Sequence, residues 1–217
     1  MAKFEKLCSN TGVIKIIASK GEVITVAEGS FLSMTDTFDV VLKKHKDMKK
    51  TLEKFISGHK VMTEEYTAKE DGELVVTDRR LGDVLIIELE DKRKYVIEEK
   101  CFLASVGDVT YSVEDEGIKG MFSGEGIFRL EVKGTGTLCL SAYGAIIEKE
   151  LNEGQSMIID TDHIILRHLS TEYTVVELEH TRKGKLEGEG KAVKVSGPGT
   201  VWYQTKTLNS YMSNPEL

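Results

Sequence analysis

The chain has 217 residues, 40% hydrophobic and 30% charged, with a net charge of −7, the balance of a soluble globular protein long enough to bury a sizeable core. That acidic balance argues against broad electrostatic binding to phosphate backbones, so nucleic acid is not an expected partner. No run approaches 18 apolar residues, and Met1–Lys6 contains no apolar signal core, so a soluble, cytoplasmic protein is expected.

Taken in chain order, Val13–Ile17, Val84–Ile87, Ile127–Val132 and Tyr173–Leu178 read as strands. They are short, rich in β-branched residues and bounded by Gly, Asp or Ser. One segment departs from this pattern. Between Val41 and Ser57 the apolar residues Val41, Met48, Leu52, Phe55 and Ile56 fall at helical spacing, and lysines occupy the other face. This predicts one short amphipathic helix laid on a sheet with its lysines in water. Lys46, Lys49 and Lys50 could alternatively dock that helix on an anionic membrane or on a partner protein. Glycines cluster at turns such as Gly134-Thr135-Gly136 and Gly197-Pro198-Gly199, and the two prolines, Pro198 and Pro215, form no linker. One domain over 1–217 is expected, with a loose polar tail at 208–217.

The strands belong to a repeat. Ile14–Phe38, Leu85–Val109 and Ile147–Thr171 align without a gap, matching Ile14/Leu85/Ile147, Val26/Ile97/Ile159, Phe31/Phe102/Ile164 and Leu32/Leu103/Ile165. A glycine-punctuated element recurs as Ser57-Gly58, Ser123–Gly126 and Glu187–Gly190. The last copy starts near the C-terminus and lacks its second half, which the N-terminal segment is expected to supply. Lys191–Trp202 would then lie beside Val13–Val26 and close three quasi-equivalent antiparallel β units into a ring.

Several strings carry a resemblance to a known family: Phe122–Phe128, Gly134–Ala145, Asp160–Ile164 and Gly197–Gln204, with Leu81–Val84 and Phe102–Ser105 in the first half. In this order they resemble the altered-inheritance-of-mitochondria family, member twenty-four, also called the mitochondrial-biogenesis family. The chain departs from the family in its lysine-rich segment 43–54, where relatives are glycine-rich, and at Gly58-His59, where they have Gly-Glu. The resemblance implies a mainly β fold of stacked sheets related to the tryptophan-responsive RNA-binding attenuation protein. It carries over no catalytic residues.

The residues themselves offer little reactive chemistry. Ser123–Gly126 would cradle phosphate only ahead of a helix, but Ile127–Val132 alternates like a strand and Glu125 would repel the anion. Asp160, Asp162, His163 and His168 are the best metal candidates. On an extended strand, however, His163 faces away from the other three, and no His-x-His pair occurs. No metal or cofactor is therefore assigned. There is no Gly-x-Ser-x-Gly elbow, and Ser141, Cys139 and His163 share no motif spacing, so no catalytic residue is assigned either. The thiols Cys8, Cys101 and Cys139 have no metal-like spacing; Cys101 and Cys139 read as buried and reduced. Trp202 and Tyr203 could form an aromatic platform for a ligand, but packing of Trp202 at the seam where the last strand meets the first copy is the commoner role. The expectation is a non-catalytic binding or scaffold protein that self-associates, because open sheet edges invite pairing. The alternatives are a small-molecule or RNA-binding module using clefts between repeats, with Trp202, Tyr203 and His163 as contacts, and, more remotely, a metal-dependent enzyme.

Overall fold

The computed structural model describes residues 1–8, 11–43, 63–78, 80–113, 129–177 and 191–212. Seventeen strands run through these residues: β1 (Lys3–Lys6), β2 (Val13–Ala18), β3 (Val23–Ala27), β4 (Phe31–Met34), β5 (Phe38–Lys43), β6 (Thr63–Ala68), β7 (Gly72–Thr77), β8 (Val84–Leu89), β9 (Tyr95–Glu98), β10 (Phe102–Val113), β11 (Arg129–Ser141), β12 (Ile146–Leu151), β13 (Ser156–Asp160), β14 (Ile164–His168), β15 (Glu172–Glu177), β16 (Lys191–Ser196) and β17 (Gly199–Gln204). The fold is mainly β and its named ladders are antiparallel. They form a sheet β1-β2-β7-β4, a sheet β13-β16-β15, and a ten-stranded sheet β12-β17-β14-β9-β11-β10-β3-β6-β5 with β8 attached to β11.

The alternating sequence explains the strands. In β2, Ile14, Ile16 and Ala18 are buried, while Val13, Lys15 and Ile17 are half-buried, as a period of two requires. The ladders then recur. β2 pairs with β7, β8 with the C-terminal half of β11, and β12 with β17, placing Ile14, Leu85 and Ile147 opposite Val76, Leu140 and Tyr203. β4, β10 and β14 take the other side of β7, β11 and β17. Each of these three ladders skips one residue, Leu32, Leu103 or Ile165, a bulge that re-aims the extra side chain. The remaining strands pair as β3-β6-β5, β9-β11-β10 and β13-β16-β15.

Two short ladders join these sets: β3 with β10, setting Val26 opposite Ala104, and β9 with β14, setting Ile97 opposite Leu166. The cores interlock in the same sense. Leu103 of β10 sits with Ile14, Ile24 and Leu74 in the first core. Ile165 of β14 sits with Ile97, Leu138 and Trp202 in the second. The third core gathers Leu151, Ile159, Val193, Val195 and Val201.

The closed ring is not what forms. β16 pairs with β13 and β15, and β17 with β12 and β14, whereas β2 pairs with β1 and β7. A strand offers only two hydrogen-bonding sides, and nearby segments fill them at a lower loop-closure cost than the far end of the chain. The last copy is therefore completed by its own following strands, not by the N-terminal segment. The glycine-punctuated elements at Ser57, Ser123 and Glu187 lie outside the described residues.

The expected helix does not begin at Val41. Val40 and Val41 favour extended backbone, and β5 continues to Lys43 with Val41 opposite Glu65. Lys46, Lys49 and Lys50 lie outside the described residues. Within the expected tail, 213–217 lie outside the described residues, and Leu208–Met212 forms a short helix, α1. Ahead of it, Ser210 N–H donates to Thr207 Oγ1 at 3.3 Å and Thr207 N–H donates to Ser210 Oγ at 3.0 Å, a reciprocal cap on the helix start.

Gly72 and Gly199 start β7 and β17 opposite Ala18 and Leu151, and Gly136 stands within β11 where its pairing with β8 begins, opposite Leu89. At Gly136 (φ +153°) a Cβ would collide with the Val106 carbonyl, and at Gly199 (φ +146°) with the Thr171 and Ser170 side chains. Gly154 (φ +79°) has no neighbour within 4 Å. Chemical denaturation should therefore show Gly136→Ala losing more than about 3 kcal/mol through strain and overlap, against about 1 kcal/mol for Gly154→Ala, where only backbone strain applies. Equal losses would contradict the close-approach account.

Candidate functional site

A largely buried polar cluster lies where the ends of β7, β9 and β11 meet. Asp78 follows β7, Arg80 stands two residues further on, Glu98 ends β9, Cys101 closes the 3-10 turn Glu99–Cys101, and Ser141 ends β11. Arg80 is 9% exposed. Its Nη1 donates to Cys101 Sγ at 2.9 Å and to the Ser141 carbonyl at 3.3 Å, and its Nη2 donates to the Lys100 carbonyl. Nε lies 3.7 Å from Asp78 Oδ2, and the Tyr143 ring stands 5.2 Å from the guanidinium carbon. Ser141 Oγ donates to Asp78 and, at 3.3 Å, to the Cys101 carbonyl. Cys101 Sγ donates to Glu98 Oε2 at 3.6 Å.

Burial governs the proton affinities here. Desolvation, with the Glu98 charge second, raises the Cys101 thiol pKa against the opposing pull of Arg80. Desolvation raises Glu98 as well, with Arg80 and Lys100 opposing. It pushes Glu99 up to about 7, assisted by Glu98 and opposed by Lys100. A thiol held in its neutral form is a poor nucleophile. The guanidinium is spent on two carbonyls, a thiol and a carboxylate, the pairing that lets a buried charge persist. The cluster works as a clasp between strand ends.

Beside it opens a cleft of about 600 Å³ lined by Ala27, Glu28, Gly29, Ser30, Glu64, Asp78, Lys100 and Phe102. Three carboxylates face one ammonium group, so the cleft is set against anionic ligands.

The residues singled out in the sequence are scattered. His163 Nδ1–H donates to the Gln204 carbonyl at 2.6 Å, and Asp160 accepts from the Asp162 N–H at 3.1 Å. His168 lies elsewhere: its Nδ1 accepts from Thr200 N–H at 3.2 Å, and its ring stands 5.4 Å edge-on to Trp202. Among the described residues no group of three or more His, Cys, Asp or Glu side chains has metal-holding geometry. Ser141 is committed to Asp78 and Cys101, and His163 to Gln204, so they form no dyad. Trp202 is buried against Tyr95 and His168, with its indole N–H donating to Glu148 Oε2 at 3.0 Å; Tyr203 is half-buried in the third core. The seam Trp202 occupies is that of β17 with β12 and β14, not with the first copy. Cys139 is buried and Cys8 exposed. Sequence reasoning missed Arg80, Glu98 and their bonds to Cys101. One signal was available in Asp78 and Arg80 standing two apart between apolar strands, but their partners lie 20 to 63 residues away.

No helix among the described residues is long and apolar enough to cross a membrane. The profile of the family described as mitochondrial biogenesis AIM24 matches residues 4–206. The chain is similar in fold to the crystal structure of a structural-genomics target from Streptococcus pyogenes, Protein SPYM3_0169, at 22% identity and a TM-score of 0.73, covering 98% of this chain and 96% of that one. No curated protein matches.

Two outcomes test the clasp. Arg80→Met should cost about 3 kcal/mol or more in a denaturant melt, because it strands carboxylate and carbonyl groups in a buried site; a loss under 1 kcal/mol would sink the assignment. Glu99→Gln should gain stability relative to the parent as pH rises from 4.5 through about 7. The folded site prefers the protonated acid, so the parent's Glu99 contribution is full below the unfolded value and is lost as pH rises through the folded one. A stability difference independent of pH would contradict it.

Proposed function

Since the chain belongs to the mitochondrial biogenesis AIM24 family, we propose that it is a non-catalytic scaffold that binds other protein surfaces through one apolar end of its strand array. One observation carries this reading. On β4, Phe31, Leu32 and Met34 are all exposed, and Val40, Val41 and Leu42 of β5 are exposed near the same end. Phe31 stacks on Tyr66, which pairs with Val40 of β5, so exposed apolar side chains of the two strands neighbour one another, as at interaction sites, and β4 has a ladder partner on only one side among the described residues. The non-catalytic part rests on the commitment of Arg80, Ser141 and His163 to structural hydrogen bonds and on the raised proton affinity of Cys101 and Cys139.

The finer architecture we propose is three quasi-equivalent units in a stack like that of the tryptophan-responsive RNA-binding attenuation protein. Equivalent strand partners, the same pairing register and a bulge at the same place in each ladder support it. A second reading places a small cationic ligand in the cleft at Glu28, Glu64 and Asp78, favoured by its carboxylate lining. RNA fits that lining poorly.

Photo-crosslinking in the native host separates the two readings. A photoreactive residue at position 32 should yield discrete protein adducts, and one at position 28 should yield none. The reverse pattern, or diffuse labelling at position 32, would contradict the scaffold.

A further inference from the structure

The two internal ladders between sets share one rule. The strand carrying the bulge pairs with the second strand of the preceding set. Val26, Thr25 and Ile24 of β3 face Ala104, Ser105 and Val106 of β10, and Ile97, Val96 and Tyr95 of β9 face Leu166, Arg167 and His168 of β14. The positions correspond residue for residue at the offsets of the sequence repeat. Applied once more, the rule needs a bulged strand to follow β13, and a second strand to precede β4. Neither is found among the described residues. β13 pairs only with β16, and β4 only with β7, among the described residues.

The burial of equivalent side chains shows what is missing. The bulge residues Leu103 and Ile165 are 0% exposed because each plugs the core of the preceding set, but Leu32 is 53% exposed. On the complementary strand, Val96 is 2% exposed beneath β14, while its counterpart Ile158 is 55% exposed. One end of the molecule thus carries the plug and the other end its seat, each built as in the internal interfaces and each uncovered among the described residues.

We propose that the partner of the β4 end is the β13 end of a second copy of this chain, joined head to tail as an antiparallel ladder. Ser33, Met34 and Thr35 of one copy lie opposite Ile159, Ile158 and Met157 of the next, and Leu32 enters the third core of its neighbour beside Ile159. The sheets β1-β2-β7-β4 and β13-β16-β15 become one continuous sheet across the contact. The occupant follows from continuity with the ladders β3–β10 and β9–β14, which the contact repeats. Each copy presents one plug and one seat, so the contact is heterologous and propagates. The inference rests on the scaffold reading and names one partner for it.

Light scattering after size exclusion, on the full chain, is the test. The parent should form multiples of one chain. Leu32→Glu and Ile158→Glu, both at exposed positions that leave folding intact, should each be monomeric alone. Mixed, they should give a complex of two chains and no more, because one intact plug and one intact seat remain. Register is read by oxidation in a Cys8→Ser background: chains with Met34→Cys should form a disulfide with chains carrying Ile158→Cys, and far less with Ser156→Cys, two residues along the strand. A parent that stays monomeric at its highest soluble concentration overturns the inference. So does self-association of Ile158→Glu alone, which would signal a symmetric β4–β4 contact. A monomeric parent whose position 32 still crosslinks to another protein overturns this inference and leaves the scaffold reading standing.

Discussion

A β-strand has two hydrogen-bonding sides, and how they are filled governs this structure. Inside the chain the decisive contacts are the short ladders of β3 with β10 and β9 with β14, three residue pairs each. They merge what would be separate small sheets into one ten-stranded layer, and they let a bulge residue from one set enter the core of another. A bulge costs ladder regularity. Here that cost is offset by the complete burial of Leu103 and Ile165. At Leu32 the same local geometry has no such return among the described residues, and for that reason the ends differ from the interior.

The Arg80 clasp answers a different problem at the same junctions. Where β7, β9 and β11 end close together, one guanidinium donates to the carbonyls of both Lys100 and Ser141 while its charge is met by Asp78. Buried polar groups are tolerated when each has a partner. Such a network holds the strand ends in place and leaves little reactivity, since the same burial that protects the ion pair keeps the Cys101 thiol protonated. The chemistry nearest to a site is thereby turned inward, and the outward-facing surface that stands apart is apolar.

Much of this was legible in the residues. The gap-free alignment put Leu32, Leu103 and Ile165 in register, and these are the three bulge residues. The apolar, β-branched runs at Val13–Ile17 and Val84–Ile87 fall within β2 and β8, because burial on one face leaves a local imprint. Three features left no local imprint. Ring closure was inferred from copy order, but pairing depends on which side of a strand is already filled. The start of a helix at Val41 was read from apolar spacing, whereas Val40 and Val41 follow their ladder to β6. Arg80 finds its partners through the fold, so a charge between two strands looks like any surface charge until those strands are placed. The Thr207–Ser210 cap was readable as a helix-start signal and was passed over in favour of a polar tail.

The central claim is that β4 and β13 each leave one hydrogen-bonding side without a ladder among the described residues of one copy, and that these two sides pair with each other between copies. Amide hydrogen exchange followed by mass spectrometry across a concentration series tests it most directly. The account predicts that peptides spanning Phe31–Met34 and Ser156–Asp160 exchange fast at low concentration and gain protection together as concentration rises, while β10 and β14 remain protected throughout. Exchange at both strands that is independent of concentration, or protection gained by one without the other, would contradict it.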